Sequence, residues 1–288
     1  MLLSVPAPPP DARSQEALVL DVRTCGSDGV VLAVEPLAPP PPIRASRFYM
    51  LRREDGLSPF IPRPYSIYRQ FGSRLEFLVK VMGKGSRALA ASRPGERLRL
   101  IGPLGNGWPT LDGEGAPWVM LAGGVGLAPF PMAVEQALAG MDGAAPCPAE
   151  RLHLFFGAAN AGQLYDLDQM VDLGVEVRTA TMDGSQGRRG TVLDLLNDAW
   201  AEGRLPADVR LLACGPERML EAVERLADER GLEAHLSLET LMGCGVGICN
   251  GCPVPTRPEG ALGHWPNAKC CVEGPVFRTA DVRLAGSH

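Results

Sequence analysis

Three cysteines stand close together in Cys244-Gly245-Val246-Gly247-Ile248-Cys249-Asn250-Gly251-Cys252, and Cys270 or Cys271 can return a fourth after a loop. Four thiolates suit a two-iron, two-sulfur cluster. The intervening glycines let the chain turn around inorganic sulfides and present backbone N–H groups with no side chain in the way. Zinc also accepts four cysteines in a closed tetrahedral site, so cysteine number alone leaves the metal open. The tight first three positions and the distant fourth favour a cluster over paired zinc knuckles, and chance proximity leaves the glycines without a purpose. Of the eight cysteines, five fall between 244 and 271. A chain this long needs no disulfide staples, so metal ligation competes strongly with a disulfide framework. Cys25, Cys147 and Cys214 are isolated and read by default as small buried hydrophobes.

A second chemical segment is Arg63-Pro64-Tyr65-Ser66-Ile67-Tyr68. Arginine can pair with a pyrophosphate, tyrosine can pack along an isoalloxazine or ribityl chain, and serine can hydrogen-bond to a ring edge. The same residues could equally form an ordinary strand carrying a surface cation. A third segment, Gly123-Gly124-Val125-Gly126-Leu127-Ala128-Pro129, follows an apolar strand and precedes a helical stretch. It is not the full Gly-x-Gly-x-x-Gly fingerprint. A glycine-rich strand-to-helix turn can bring backbone donors to a phosphate, or it can serve packing alone.

Elements must hold these segments in place. The chain has 288 residues, 45% of them apolar, which permits a real core and suggests two or three compact units. Residues 1–16 are rich in proline and read as a flexible leader. Short runs at Ala17–Val22, Gly29–Val34, Ser46–Leu51, Leu75–Val81 and Arg97–Ile101, separated by turn residues, predict a small antiparallel β-barrel over 17–112. The Pro39–Pro42 run reads as a turn or linker. From 113 to 234 the texture becomes α/β. Pro117–Leu121, Arg151–Phe156, Val175–Thr179 and Val209–Ala213 predict strands, while the stretch through Leu138, Thr191–Ala201 and Glu217–Asp228 predict helices. Glycines and cysteines mark a third, small module over 235–288, with a short strand expected at Pro275–Phe277.

A net charge of −5 offers no broad attraction for a phosphate backbone, so nucleic acid is not expected as a partner. The N-terminal apolar residues are interrupted by prolines and lack a basic n-region, which makes a poor secretion signal. No apolar run reaches membrane length. Cytoplasmic residence without membrane attachment is the expectation.

Taken together, Ser237-Leu238-Glu239, the Cys244 to Cys252 segment and Cys271-Val272-Glu273-Gly274-Pro275-Val276-Phe277 resemble the electron-transfer subunit of bacterial NAD-dependent dihydroorotate dehydrogenase, within the ferredoxin-reductase-like group. The resemblance spans roughly residues 17 to 278. It implies metal ligands at Cys244, Cys249, Cys252 and Cys271, because in that family the fourth ligand stands just before a two-residue spacer and Gly-Pro. Cys270 is then an adjacent extra cysteine, a departure from the pattern. Arg63, Pro64, Tyr65 and Ser66 match the family's flavin motif. Gly83, Lys84, Gly85 and Ser86 form its second portion, with a helical start at Ser86 aiming N–H groups at phosphate. FAD is expected between the barrel and the central domain.

The resemblance also sets Gly123, Gly124 and Gly126 near the pyridine nucleotide, with Cys214, Gly215 and Pro216 as a second boundary of that site. Cys214 has no neighbouring acid–base system and is not a convincing nucleophile. Phe156-Gly157-Ala158-Ala159-Asn160 lacks a basic clamp for a 2′-phosphate, which favours NAD over NADP. Arg188 and Arg189 read as a solvated turn. Glu239 reads as a solvated or capping residue, and His153, His235 and His264 have no ligand spacing. No catalytic acid, base or nucleophile is assigned.

The implied function is passage of electrons from a separate flavin-containing catalytic subunit, through a [2Fe–2S] cluster and FAD, to NAD in pyrimidine biosynthesis. A heterotetramer with that subunit is the expected assembly. Two other classes stay on the table: an NAD(P)H-dependent flavin and iron–sulfur reductase serving another redox partner, and a non-enzymatic zinc-binding interaction module. The latter leaves the flavin and nucleotide motifs without a purpose.

Overall fold

The computed structural model describes residues 9–54 and 60–284. Its first sheet contains β1 (Arg13–Cys25), β2 (Gly29–Pro36), β3 (Phe48–Arg53), β4 (Arg63–Ser66), β5 (Arg69–Phe71), β6 (Arg74–Lys80) and β7 (Arg97–Leu104), with helix α1 (Lys84–Ala90) before β7. The strands run β4-β3-β7-β1-β2-β6-β5, antiparallel throughout. Edge strands β4 and β5 are separated in the chain only by the buried Ile67 and Tyr68. A sheet whose two edges are joined so tightly must curl until they approach, which gives a barrel and protects both edges.

The five barrel strands read from the sequence are present. The leader is not as expected: residues 1–8 lie outside the described residues, but Arg13–Glu16 already pair with Gly102–Arg99 of β7. Strand pairing is made by the backbone, so a polar run beside a long partner strand extends the ladder without apolar side chains.

The second sheet comprises β8 (Trp118–Gly123), β9 (Leu152–Ala158), β10 (Glu176–Thr181), β11 (Arg188–Arg189), β12 (Arg210–Cys214), β13 (Ala234–Ser237) and a late returning strand, β16, described below. Helices α2 (Phe130–Ala139), α3 (Leu167–Val171), α4 (Val192–Ala201) and α5 (Glu217–Arg230) connect its strands. Every residue of β8 is buried, as befits a central parallel strand covered on both faces. Thr191 caps α4 by accepting the Asp194 N–H, and Asp194 accepts the Thr191 N–H at 2.7 Å, a capping box that fixes the helix start. In α5, Leu220, Val223, Glu224 and Ala227 form the buried face, and Gly231 ends the helix at φ +66°.

A small hairpin of β14 (Pro253–Pro255) and β15 (Asn267–Lys269) belongs to the cysteine-bearing segment, and β16 (Val276–Arg278) follows it. β16 lies antiparallel to β13, and β13 is parallel to β12. The second sheet thus runs β11-β10-β9-β8-β12-β13-β16. The expected start of a separate module at 235 therefore shifts: His235–Ser237 and Val276–Arg278 are edge strands of the central sheet. A four-residue strand leaves little periodic signal beside the glycine and cysteine pattern that follows it. Sequence order in this sheet reverses between β8 and β12, and such a switch point opens a crevice at the strands' carboxyl ends. Among the described residues, no helix is long and apolar enough to cross a membrane.

Candidate functional site

The two flavin segments meet. An alanine-type Cβ built on Gly85 would lie 2.2 Å from Arg63 Nε and 2.5 Å from its Cζ, so the guanidinium stem rests directly on the first turn of α1. Gly83, the residue before α1, has nothing within 4 Å of the same position and leaves room for a ligand. The expected helical start at Ser86 is displaced: α1 begins at Lys84, and the Ser86 hydroxyl accepts the N–H groups of Met82 (2.8 Å) and Gly83 (3.0 Å). Ser86 is thus consumed in shaping the turn, since those N–H groups lack intrahelical partners. Tyr65 lies half-buried on β4 with Pro64 and Ser66. Burial pushes its phenol up to about 12, with Arg63 opposing and Glu239 adding to the rise. A half-buried ring beside a cation and an open glycine turn fits a flavin with its phosphates.

The two nucleotide segments are in backbone contact at the switch point. A Cβ on Gly126 would stand 2.2 Å from the Cys214 carbonyl oxygen, and one on Gly123 would stand 2.7 Å from Pro216. Gly215 in turn approaches the Gly123 backbone. Packing between β8 and β12 therefore accounts for three of these glycines. Gly124 differs, with φ +55° and open space where a side chain would be. It is the position where a phosphate can come up to the backbone. Burial pushes the Cys214 thiol up to about 12, aided by the charge of Glu239 and opposed by the Ser237 hydroxyl. Cys214 is held as a neutral thiol, consistent with a wall of the site and not a nucleophile.

Further along the same carboxyl edge, Asp183 follows β10. Its carboxylate accepts the Ser185 N–H (2.9 Å) and hydroxyl (2.7 Å), which hold it below the usual carboxylate range. The Ser185 hydroxyl also accepts the Ala161 N–H at 2.8 Å and so ties this loop to the one after β9. Arg188 is engaged by Asp198 and Asp194, and Arg189 sits exposed on β11.

In the cysteine loop, backbone N–H groups point at sulfur. Val246 and Cys249 donate to Cys244 Sγ at 3.5 and 3.4 Å, and Gly247 donates to Cys271 Sγ at 3.2 Å. Positive φ at Gly245, Gly247 and Asn250 produces the curl that aims them. Burial works against ionisation of Cys244, yet the N–H groups of Cys249 and Val246 outweigh it and bring the thiol down to about 7. Cys271 shares its proton with Cys252, which lowers Cys252 to about 6 and raises Cys271. The four thiols therefore gather as two neighbouring pairs, Cys244 with Cys249 and Cys252 with Cys271. The paired arrangement fits two irons with two thiolates each, and the Cys-x4-Cys-x2-Cys…Cys spacing is one that two-iron clusters use.

Cys270 faces elsewhere. Its fully buried thiol donates to the Leu238 carbonyl at 3.6 Å, and burial pushes it up to about 12. Glu239 is exposed, as a solvated carboxylate would be. The three segments meet through the fold itself: Cys214 pairs with Ser237 in the β12–β13 ladder, the Ser237 hydroxyl lies 2.8 Å from that of Ser46 just before β3, and Gly245 of the cysteine loop packs on Met50 of β3, which stands opposite Pro64.

Residues 120–225 match the family described as Oxidoreductase NAD-binding domain, and residues 239–283 match the Iron-sulfur cluster binding domain of dihydroorotate dehydrogenase B. The dihydroorotate dehydrogenase B (NAD(+)) electron transfer subunit of Desulforamulus reducens is 32% identical over 240 residues, covering 82% of this chain and 85% of that relative. Its counterpart from Bacillus cereus (strain G9842) is 30% identical over 241 residues, covering 83% and 86%. Among solved structures, an NADH-dependent reduced ferredoxin-NADP oxidoreductase superimposes with a TM-score of 0.75 over 93% of this chain and 90% of that one, at 24% identity. That likeness carries the fold alone, a curled antiparallel sheet followed by an α/β domain. The chain belongs to the family of dihydroorotate dehydrogenase B (NAD(+)) electron transfer subunits.

Proposed function

We propose that this chain passes electrons between NAD and a separate dihydroorotate-oxidising catalytic subunit, with FAD held at Arg63–Ser66 and Gly83–Ser86 and a [2Fe–2S] cluster held by Cys244, Cys249, Cys252 and Cys271. The observation that supports this reading is the convergence of the three segments: Gly126 against Cys214, Cys214 paired with Ser237 ahead of the cysteine loop, and Gly245 of that loop on Met50 opposite Pro64. A zinc-binding interaction module requires no such convergence. When bound, the flavin supplies the exchange between two-electron hydride chemistry and one-electron chemistry at iron.

The chain's own residues then have defined tasks. Arg63 neutralises pyrophosphate, Gly85 gives its side chain room against α1, and Gly83 lets the backbone approach the phosphates. Tyr65 and Ser66 orient the ring from β4. Gly124 admits the dinucleotide phosphates at the switch point, and Gly123, Gly126 and Gly215 keep the two loops close enough to form one wall. Cys214, kept protonated by burial, packs beside the nicotinamide without exchanging a proton. Asp183 carries negative charge where a 2′-phosphate would otherwise sit, and Arg188 is committed to its own acids, so NAD is preferred over NADP.

In the cluster loop, N–H groups directed at Cys244 and Cys271 stabilise thiolate charge. Cys249 is exposed, and the neighbouring Ile248 and Leu241 are 80% and 89% exposed. An apolar rim beside an exposed ligand suits the catalytic subunit, and a heterotetramer in the cytoplasm, serving pyrimidine biosynthesis, is the assembly we assign. Mixing the purified chain with the flavin-containing catalytic subunit tests this. NAD reduction driven by dihydroorotate should require both proteins; NADH-driven reduction of an unrelated ferredoxin, with no response to dihydroorotate, would contradict it.

A further inference from the structure

We propose that Asn106 is a positioning residue that sets the separation between the cluster and the flavin strand. This rests on the functional reading above, because it concerns two centres that the reading places in this chain.

The cluster-bearing segment is seated on the outer side of the barrel at two points. At the first, Gly245, next to Cys244, lies against β3: a Cβ there would be 2.5 Å from Met50 Cγ and 3.0 Å from Leu104 Cδ1. Met50 is fully buried and sits opposite Pro64 in the β3–β4 ladder. One strand spacing, about 4.8 Å, thus separates the seat of the cluster loop from the strand that carries Arg63, Tyr65 and Ser66.

At the second point, Asn106 grips the segment that follows Cys271. Its N–H donates to the Gly274 carbonyl at 2.8 Å, its Nδ2 donates to the carbonyls of Glu273 (2.9 Å) and Val276 (2.8 Å), and its Oδ1 accepts the Val276 N–H at 3.1 Å. Adjacent Gly105, at φ +75°, has no room for a side chain because a Cβ would fall 2.4 Å from Pro275. Asn106 itself is exposed and touches no flavin or nucleotide residue in these contacts, so its whole side-chain capacity goes into holding 273–276 against the end of β7. One ligand-bearing loop rests on Met50 and the other is tied to the barrel by Asn106; without that side chain, 273–276 keeps the residue-106 N–H on Gly274, the Leu238 N–H on Pro275 and the β13–β16 pairing, but loses three hydrogen bonds to the end of β7.

The test uses full-length Asn106→Ala, which removes the side-chain bonds, and Asn106→Asp, which keeps the acceptor for the Val276 N–H but sets a carboxylate oxygen against the Glu273 and Val276 carbonyls. NADH is the added reductant; as a hydride donor it would supply two electrons to a bound flavin, and the bound cluster would accept them one at a time. In stopped flow, flavin bleaching should keep its wild-type rate while cluster bleaching slows roughly ten- to a hundredfold in Asn106→Ala and at least as much in Asn106→Asp, whose carboxylate would face the Glu273 and Val276 carbonyls that Nδ2 now serves. Independently of turnover, amide exchange over 273–276 should quicken in the same order. Faster exchange with an unchanged cluster rate would overturn the proposal, and so would loss of iron from both variants, which would make Asn106 a retention residue. A wild-type chain that binds neither flavin nor iron would instead sink the functional reading.

Discussion

Gly85 lies beneath the Arg63 side chain, with the position of an absent Cβ only 2.2 Å from Nε. Two segments separated by about twenty residues of sequence are in this way made into one surface, and the guanidinium is held in place by what α1 lacks. Replacing Gly85 with alanine must push the arginine aside. Flavin content of purified Gly85→Ala should fall several-fold, while its far-ultraviolet circular dichroism stays unchanged. Gly83→Ala meets no protein atom. Flavin loss in that variant would report the ligand's own approach to the turn.

The ligand register can be read from single substitutions. Cys244→Ser, Cys249→Ser, Cys252→Ser and Cys271→Ser should each abolish the cluster's visible absorption and paramagnetic signal after reconstitution. Cys270→Ser should retain both, because that thiol is turned toward the Leu238 carbonyl. Loss of the signal with Cys270 changed and Cys271 intact contradicts the assignment.

Dinucleotide choice follows from charge. With Asp183→Ser the carboxylate is gone while the loop keeps a short polar residue, so the ratio of kcat/KM for NADPH over NADH should rise by about tenfold or more. An unchanged ratio would mean that the 2′-position lies elsewhere on the sheet edge.

The barrel and the nucleotide domain are tied together by Asp166. It accepts Arg23 Nη1 at 2.7 Å, Arg23 Nη2 at 2.5 Å and the Tyr68 hydroxyl at 3.0 Å. Burial opposes its ionisation, but the hydrogen bonds from Arg23, Cys25 and Tyr68 outweigh that and hold its pKa below the usual carboxylate value. A depressed folded-state pKa adds stability above the unfolded value, near pH 4, and that stability is lost as pH falls through the folded value. Asp166→Asn should therefore cost about 1–2 kcal/mol at pH 7, given partial exposure of Arg23, and thermal melts should show the difference shrinking below about pH 4. A gap that persists unchanged at pH 3 would place the effect in packing instead.

Much of the fold was legible because its signals were local. Alternation and turn residues marked β1, β2, β3, β6 and β7, and continuous apolar runs marked β8, β9 and β12. β4 and β5 are too short to carry a pattern, and only closure of the barrel explains them. β16 was legible as a short strand near 275–277, but β13, and the membership of both in the second sheet, were hidden because that is a long-range pairing, Leu236 with Phe277. The cysteine set could be proposed from spacing and resemblance, but the opposite orientations of Cys270 and Cys271 depend on the fold around Leu238. Asn106 carries no motif; it gains its meaning from Glu273, Gly274 and Val276, far away in sequence.

The most direct measurement is metal and flavin analysis of the chain purified without oxygen, with electron paramagnetic resonance after reduction by NADH. The account predicts FAD and iron with acid-labile sulfide in the same protein, and a cluster signal that NADH alone can elicit. Zinc in place of iron, with no flavin retained or taken up on reconstitution, would contradict it.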